Sequence, residues 1–159
     1  MSQIKVMLLS LFTSIFPTNT TKEKPQKNTD KIFITTTDPV SGRTLIIEED
    51  IYSVWVYLLQ SNKQGIEFEG FLCSVQDPKV LDINISEIVK NGGTPPITNA
   101  FSNAHSYVKN LKKKDITIKW LENQAQVKIK KEVYLIMDFI SKTSYSKGVS
   151  KDGYYGKKL

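Results

Sequence analysis

Few side chains in this sequence could carry out chemistry. The chain has one histidine, His105, and one cysteine, Cys73. Cys73 lies in the apolar stretch IEFEGFLCSV, where a thiol normally packs as a small hydrophobe, and His105 is flanked by apolar residues at helical spacing. A single residue of each kind excludes an internal disulfide, a cysteine-based zinc site and a multi-histidine metal site. The spacing of Cys73 and His105 does not indicate a catalytic pair.

Glu67 and Glu69 are the other candidates for catalysis. They alternate in a predicted strand and should therefore point the same way. A carboxylate pair can act as general acid and base, although a solvated strand face is the commoner explanation. The segment KNGGTPP has two glycines but lacks the following lysine of a phosphate-binding loop, and no GxGxxG or GxSxG motif occurs. We therefore predict a protein that is not an enzyme and that binds no cofactor or metal.

The distribution of charge is uneven. The chain of 159 residues carries a net charge of +6, and its hydrophobic fraction of 40% suits one globular domain. Residues 32–90 carry four basic and nine acidic side chains, whereas residues 91–159 carry thirteen lysines and five acidic side chains. This asymmetry predicts an acidic side and a basic side, which suits electrostatic steering toward a partner.

The first residues differ from the rest in composition. An apolar run extends from Val6 to Phe16 and is too short to span a bilayer as a helix. Residues 1–17 are predicted to form a short amphipathic helix, or alternatively a signal-like segment, although no small-residue cleavage site follows. Residues 18–31 are polar and interrupted by proline, which indicates a linker. The single folded domain is predicted over 32–159.

Strand patterns dominate the first half of that domain. KIFITTT and TLIIEE flank the turn sequence DPVSGR, which predicts a hairpin over 32–37 and 44–48. IYSVWVYLLQ is apolar at odd and even positions, as expected of a central strand covered on both faces. A further strand follows, in which Gly70 marks a bulge or a close approach.

Helical patterns follow after Pro78. Ile85, Ile88 and Val89 have helical spacing, with Asn84 or Ser86 as a cap and Gly92-Gly93 as the stop. A second helix is predicted from about Thr98, with Phe101, Ala104, His105 and Val108 on one face.

Three more strands complete the predicted domain. DITIKWL and QAQVKIK alternate between apolar and polar residues, and EVYLIMDFI is predicted to be an inner strand. The predicted fold class is α+β. It comprises an antiparallel β-sheet in two hairpin or meander blocks of about six to seven strands, with two helices between them packed on one side.

A resemblance supplies the functional hypothesis. The segments IYSVWVYLL, IEFEGFLCSV, GGTPPIT, ITIKWLENQAQVKI and EVYLIMDF, with the closing YSKGVSKDGYYGKK, resemble small bacterial immunity proteins over residues 51–158. Such proteins neutralise toxins delivered between competing cells, as by type VI secretion. The resemblance implies a non-enzymatic module whose partner is a cognate effector toxin that it plugs or covers. The expected location is the cytoplasm, with the periplasm or membrane association through residues 1–17 (Met1 to Phe16 providing the contact) as alternatives.

The acidic segment is the predicted plug, because many toxins that attack nucleic acids or anionic envelope polymers have basic clefts. The C-terminal tyrosines are predicted first to pack on the sheet and second to contact the partner. The predicted partner-binding residues are Glu48, Glu49, Asp50, Glu67, Glu69, Tyr145, Tyr154 and Tyr155.

Nucleic-acid binding is the alternative function. The lysines of the basic half could contact phosphates, and the tail tyrosines could stack on bases. Against this, the chain has 21 lysines and one arginine, whereas specific nucleic-acid recognition favours arginine. The oligomeric state is left open.

Overall fold

The computed structural model describes residues 30–159, so the segments predicted over 1–17 and most of 18–31 lie outside the described residues. Nine strands and one short helix make up the described part of the chain. They are β1 (Phe33–Thr37), β2 (Thr44–Glu49), β3 (Ser53–Leu59), β4 (Ile66–Ser74), α1 (Ile85–Lys90), β5 (Ile116–Trp120), β6 (Gln124–Ile129), β7 (Glu132–Asp138), β8 (Thr143–Ser146) and β9 (Lys157–Lys158).

The first sheet is an antiparallel meander in the order β1-β2-β3-β4. Its first turn is closed by Asp38, whose carboxylate accepts the N–H groups of Val40 and Ser41, and by Gly42 at φ +73°. This arrangement confirms the hairpin predicted from DPVSGR. All seven residues of β3 are buried, which confirms the central strand predicted from apolar residues on both faces.

The second sheet has the order β5-β6-β7-β8-β9, antiparallel except for the β8–β9 pair. Alternating burial in β6 places Ala125, Val127 and Ile129 inward, as predicted. A two-residue turn joins β6 to β7, and Lys130 and Lys131 both adopt positive φ there. Such a backbone matches the twist of a hairpin and therefore fixes the register of the two strands.

The two sheets pack face to face over a shared core that includes Val56, Leu72, Val127 and Leu135. Gly70 lies where β4 comes closest to the second sheet. A β-carbon at this position would lie 2.8 Å from Ser144 Cβ and 2.9 Å from Met137 Sδ. Of the two roles considered for Gly70, the structure therefore supports close approach.

A second cluster covers the outer face of the first sheet. Trp55 and Phe71 project to this side, where Ile97, Val149 and Tyr155 join them. The outer face is consequently packed as well, although it has no sheet opposite. This explains why β3 is apolar on both sides.

The predicted α+β class is wrong, because the described chain is nearly all β. The first predicted helix forms as α1, capped by Asn84, but it has only six residues and none of them is buried. Ile85 and Val89 remain exposed, so no tertiary packing is available to lengthen this helix. No helix packs on one side of the sheets in residues 30–159.

The second predicted helix is replaced by turns and a 3-10 turn at Lys113–Asp115. Polar side chains in this segment bind the tail instead of solvent. The amide nitrogen of Asn103 donates to the carbonyls of Lys147 and Val149, and the Ser106 hydroxyl donates to Gly148 O at 2.5 Å. These distant hydrogen bonds compete with the helix, as Asn and Ser commonly do.

Candidate binding surface

Two of the predicted acidic residues have structural roles. Asp50 begins the β2–β3 turn, where its Oδ1 accepts the N–H groups of Tyr52 and Ser53 at 2.7 Å each. Burial raises the pKa of Asp50 despite these two bonds. Glu49 accepts the N–H of Ile32 through Oε2 at 3.1 Å and so ties the start of β1 to β2. Both carboxylates are occupied within the fold.

Glu67 and Glu69 were predicted to alternate on one face of a strand, but a register shift in β4 interrupts that alternation. The register of β4 skips Glu67, because Leu58 pairs with Phe68 and the next residue, Leu59, pairs with Ile66. Glu67 is thus the extra residue of a β-bulge, and it forms an ion pair with Lys142 of the β7–β8 turn at 3.3 Å. Glu69 remains in register opposite Tyr57.

Glu48 and Glu69 flank the outer face of β3. Glu48 is the cross-strand partner of Trp55, and Glu69 is the partner of Tyr57. Burial raises the pKa of Glu48 from 4.5 to about 7; neighbouring Asp50 adds to this increase and Lys31 opposes it. Burial also raises the pKa of Glu69. Two partly desolvated carboxyl groups therefore lie beside one strip of aromatic side chains.

The tail tyrosines have three different environments. Tyr155 is buried, stacks on Trp55 at 6.2 Å and donates its hydroxyl to Pro96 O at 2.9 Å. Tyr154 is 60% exposed and contacts Tyr155 edge to face at 5.2 Å. Tyr145 is half-buried in β8, with Lys157 Nζ 5.9 Å from its ring centre. Tyr155 is therefore a packing residue, and Tyr154 is the tyrosine that faces outward.

Phe33 is a surface residue that the sequence analysis missed. It is the cross-strand partner of Glu48 on the edge strand β1 and is 40% exposed. The signal was present in the predicted hairpin, whose register places Phe33 beside Glu48. We call the set Phe33, Glu48, Glu69 and Tyr154 the acid–aromatic patch. Its members are linked through β3, because Glu48 pairs with Trp55, Glu69 pairs with Tyr57, and the Tyr154 ring lies 6.2 Å from that of Trp55.

Cys73 and His105, which were considered for catalysis, lie in different environments. Cys73 is fully buried, and burial raises the pKa of its thiol far above the ordinary value. His105 is exposed; its ring lies 6.3 Å from that of Tyr134, edge to face. Within the described residues, no hydrogen bond joins Cys73 to His105. Residues 30–159 also contain no group of three or more His, Cys, Asp or Glu placed to hold a metal ion.

Polar residues among those that the structure describes line two clefts at the surface. One of about 650 Å³ is lined by Arg43, Gln60, Glu67 and Lys142, among others. The Arg43 guanidinium lies 4.5 Å from the centre of the Phe139 ring. The other cleft, of about 620 Å³, is lined by Lys112–Lys114 with Asp30 and Asn110. The second cleft contains three consecutive lysines from the basic C-terminal half of the chain.

Comparisons with family models, with curated proteins and with solved structures found no match to this chain. Across the described residues, no helix has the length and hydrophobicity needed to cross a bilayer.

Proposed function

We propose that this chain is a non-enzymatic protein-binding module, an immunity protein that binds and occludes a cognate bacterial effector toxin of the type VI-delivered kind. It acts stoichiometrically and without a cofactor, in the cytoplasm. The observation that carries the proposal is the acid–aromatic patch, in which two partly desolvated carboxyl groups lie between an exposed phenylalanine and an exposed tyrosine.

The patch has the chemistry expected of a protein interface. Aromatic side chains supply contact area with few rotatable bonds, and they are enriched at the residues that dominate binding energies. Tyr154 rests edge to face on buried Tyr155 and Trp55, so its ring is held in place before a partner arrives. Pre-ordering of this kind lowers the entropic cost of association.

The carboxyl groups select for a basic partner. A lysine or arginine placed beside Glu48 would offset the desolvation that raises the pKa of this residue. The partner would then contribute an ion pair inside a water-excluding rim of aromatic groups. Charge complementarity of this kind increases association rates and rejects acidic partners.

A capture experiment tests the proposal. The tagged full-length chain is incubated with lysate from its native host, with and without nuclease, and bound proteins are identified by mass spectrometry. We expect one stoichiometric protein that survives nuclease and high salt. A mixture of ribosomal and DNA-bound proteins that disappears with nuclease would reject the immunity function.

Paired charge reversals locate the surface. Glu48→Lys combined with Glu69→Lys should weaken binding of the captured protein by at least about tenfold, which corresponds to about 1.4 kcal/mol. Glu87→Lys with Glu122→Lys is the matched control, because both residues are exposed and lie outside the patch. Equal binding by the two double variants would show that the patch is not the interface.

Nucleic-acid binding remains the second candidate because of the lysine-lined cleft. The loop of Lys112–Lys114 lies near the β6–β7 turn, since Lys130 N donates to Asp115 O at 2.8 Å. The lysines at 130 and 131 therefore extend the basic surface. A salt titration distinguishes the candidates, because phosphate contacts weaken steeply with the logarithm of salt concentration and a packed protein interface weakens less.

A further inference from the structure

The β1 edge of the first sheet is unpaired within the described chain. β1 is the terminal strand of the order β1-β2-β3-β4. Glu49 N donates to Ile32 O, and Asp38 N donates to Arg43 O, both at 2.8 Å. Hydrogen-bonded pairs alternate along an antiparallel ladder, so these two bonds show that the backbone N–H and C=O groups of residues 32, 34, 36 and 38 point toward β2. The N–H and C=O groups of residues 33, 35 and 37 therefore point away from the sheet.

In the part of the chain that the structure describes, this edge lacks the features that usually protect an edge strand. Proteins commonly protect such strands with lysine, proline, a bulge or a covering segment. The sequence of β1 is FITTT, which has no charge and no proline, and its five residues pair with β2 without a register shift. It is also rich in β-branched residues, which favour an extended chain.

The other edge strands of the described sheets are covered, flanked by lysine or very short. The end of β4 is covered, because Ser74 N donates to Ser106 O and Val108 N donates to Ser74 O. β5 carries Lys119 and follows the lysines at 112–114, and β9 has only two residues. Within residues 30–159, the edge strand that has no charged residue and no covering segment is thus β1, which carries Phe33 of the acid–aromatic patch.

We propose that the partner adds an extended segment to the β1 edge as a further strand of the first sheet. This inference rests on the proposed function, because it assigns a binding mode to the same surface. The partner's backbone would pair with the outward N–H and C=O groups of Phe33, Thr35 and Thr37, as in other cases of strand addition.

The patch specifies a basic side chain in that added strand. Neighbouring strands lie roughly 5 Å apart, so the partner residue opposite Phe33 is roughly 10 Å from Glu48 along the sheet. A lysine or arginine there extends across the exposed Phe33 ring toward the Glu48 carboxylate. The ring face attracts the cation, and the carboxylate receives it. The segment we propose is therefore extended, β-branched and basic, and it comes from a partner protein.

Thr35→Pro tests the backbone contact selectively. Thr35 does not bond to β2 through its own N–H, so proline removes one outward donor while the β1–β2 ladder is retained. Thr35→Val is the matched control, since it retains the N–H and loses only the hydroxyl. Both variants are made in the full-length chain and compared by circular dichroism and thermal unfolding.

Short random peptides displayed on phage serve as the probe and are selected on the wild-type chain. We expect enriched peptides with alternating β-branched and basic residues that bind wild type and Thr35→Val equally. Their binding to Thr35→Pro should be at least about tenfold weaker. In the wild-type protein they should slow amide hydrogen exchange at Phe33, Thr35 and Thr37, a measurement that does not depend on the proline variant folding.

Three results would overturn the proposal that a partner protein adds a strand to β1. They are failure to select peptides that discriminate against the proline variant, exchange protection away from β1, and a wild-type dimer in solution that Thr35→Pro dissociates. The toxin partner is tested separately, with the protein captured in the nuclease experiment. Capture that survives Thr35→Pro would reject strand addition but leave the immunity function intact, whereas loss of all capture with nuclease would reject the immunity function itself.

Discussion

Replacement of Glu48 by glutamine should stabilise the protein relative to the wild type, and the gain should be larger at pH 8 than at pH 5. The pKa of Glu48 lies at about 7 in the folded chain against an ordinary value of 4.5. The folded state therefore binds the proton more tightly than the unfolded state does. The stability that this provides is fully present below about pH 4.5 and is lost as the pH rises through 7.

The size of this effect follows from the shift and from the exposure of Glu48. A fully buried carboxyl group would lose about 1.4 kcal/mol for each unit of pKa, or about 3.4 kcal/mol in all. Glu48 is only half-buried, so solvent screening reduces the cost of its ionisation to about 1 kcal/mol. Glutamine has a similar shape and cannot ionise, so Glu48→Gln avoids this cost at high pH.

Urea unfolding at pH 5 and pH 8 measures the difference. The gain in unfolding free energy from Glu48→Gln should be about 1 kcal/mol larger at pH 8 than at pH 5. Glu122→Gln, at an exposed position in the β5–β6 turn, is the control for removing one carboxylate. A gain that is equal at both pH values, or larger at pH 5, would refute the assignment of Glu48 as a partly desolvated acid.

Four further predictions concern the packing of the core and the hydrogen bonds of a turn. Gly70→Ala should cost about 1–3 kcal/mol, because the added methyl group overlaps β7 and β8 side chains; an unchanged thermal midpoint would contradict the close approach. Tyr155→Ala should cost about 3–5 kcal/mol and Tyr154→Ala less than about 1 kcal/mol in urea unfolding, and equal losses would contradict their different burial. Asp50→Ala should cost about 1–3 kcal/mol by leaving two turn N–H groups without an acceptor, whereas Asp50→Asn keeps an acceptor and should cost less. Cys73 should react with a thiol reagent only in denaturant, and rapid labelling of the native protein would place the thiol outside the core.

Local patterns predicted the strands because each pattern has a local cause. The turn DPVSGR forms its hairpin through the Asp38 carboxylate and Gly42, both of which belong to the turn. Alternation in β6 and the two apolar faces of β3 follow from which residues each sheet buries. Each of these patterns can be recognised within one segment, even where distant residues cover the strand, as they do for β3.

The second helix was predicted wrongly because contacts with distant residues determine the structure of that segment. The helical spacing of Phe101 and Val108 is coincidental, since Phe101 packs on Tyr155 while Val108 joins the core between the sheets. Asn103 binds carbonyl groups more than forty residues away. A pattern within one segment does not reveal hydrogen bonds to another.

The candidate site was predicted only in part for the same reason. The acidic segment was recognised by composition, but composition does not distinguish Asp50, which closes a turn, from Glu48, which faces outward. The β-bulge at Glu67 breaks an alternation that the sequence pattern assumes to be regular. Phe33 was overlooked because its exposure depends on β1 being an edge strand.

The position of the proposed interface is a consequence of how far the C-terminal tail extends over the first sheet. The aromatic side chains of the tail pack mainly on β3 and β4, where Tyr155 contacts Trp55 and Phe71. On β1 and β2, by contrast, Phe33 and Glu48 remain partly accessible. The tail therefore stabilises one half of the outer face and presents Tyr154 beside the other half. A partner strand on β1 would extend the same sheet from the side that the tail leaves open, so packing and recognition use adjacent parts of one surface.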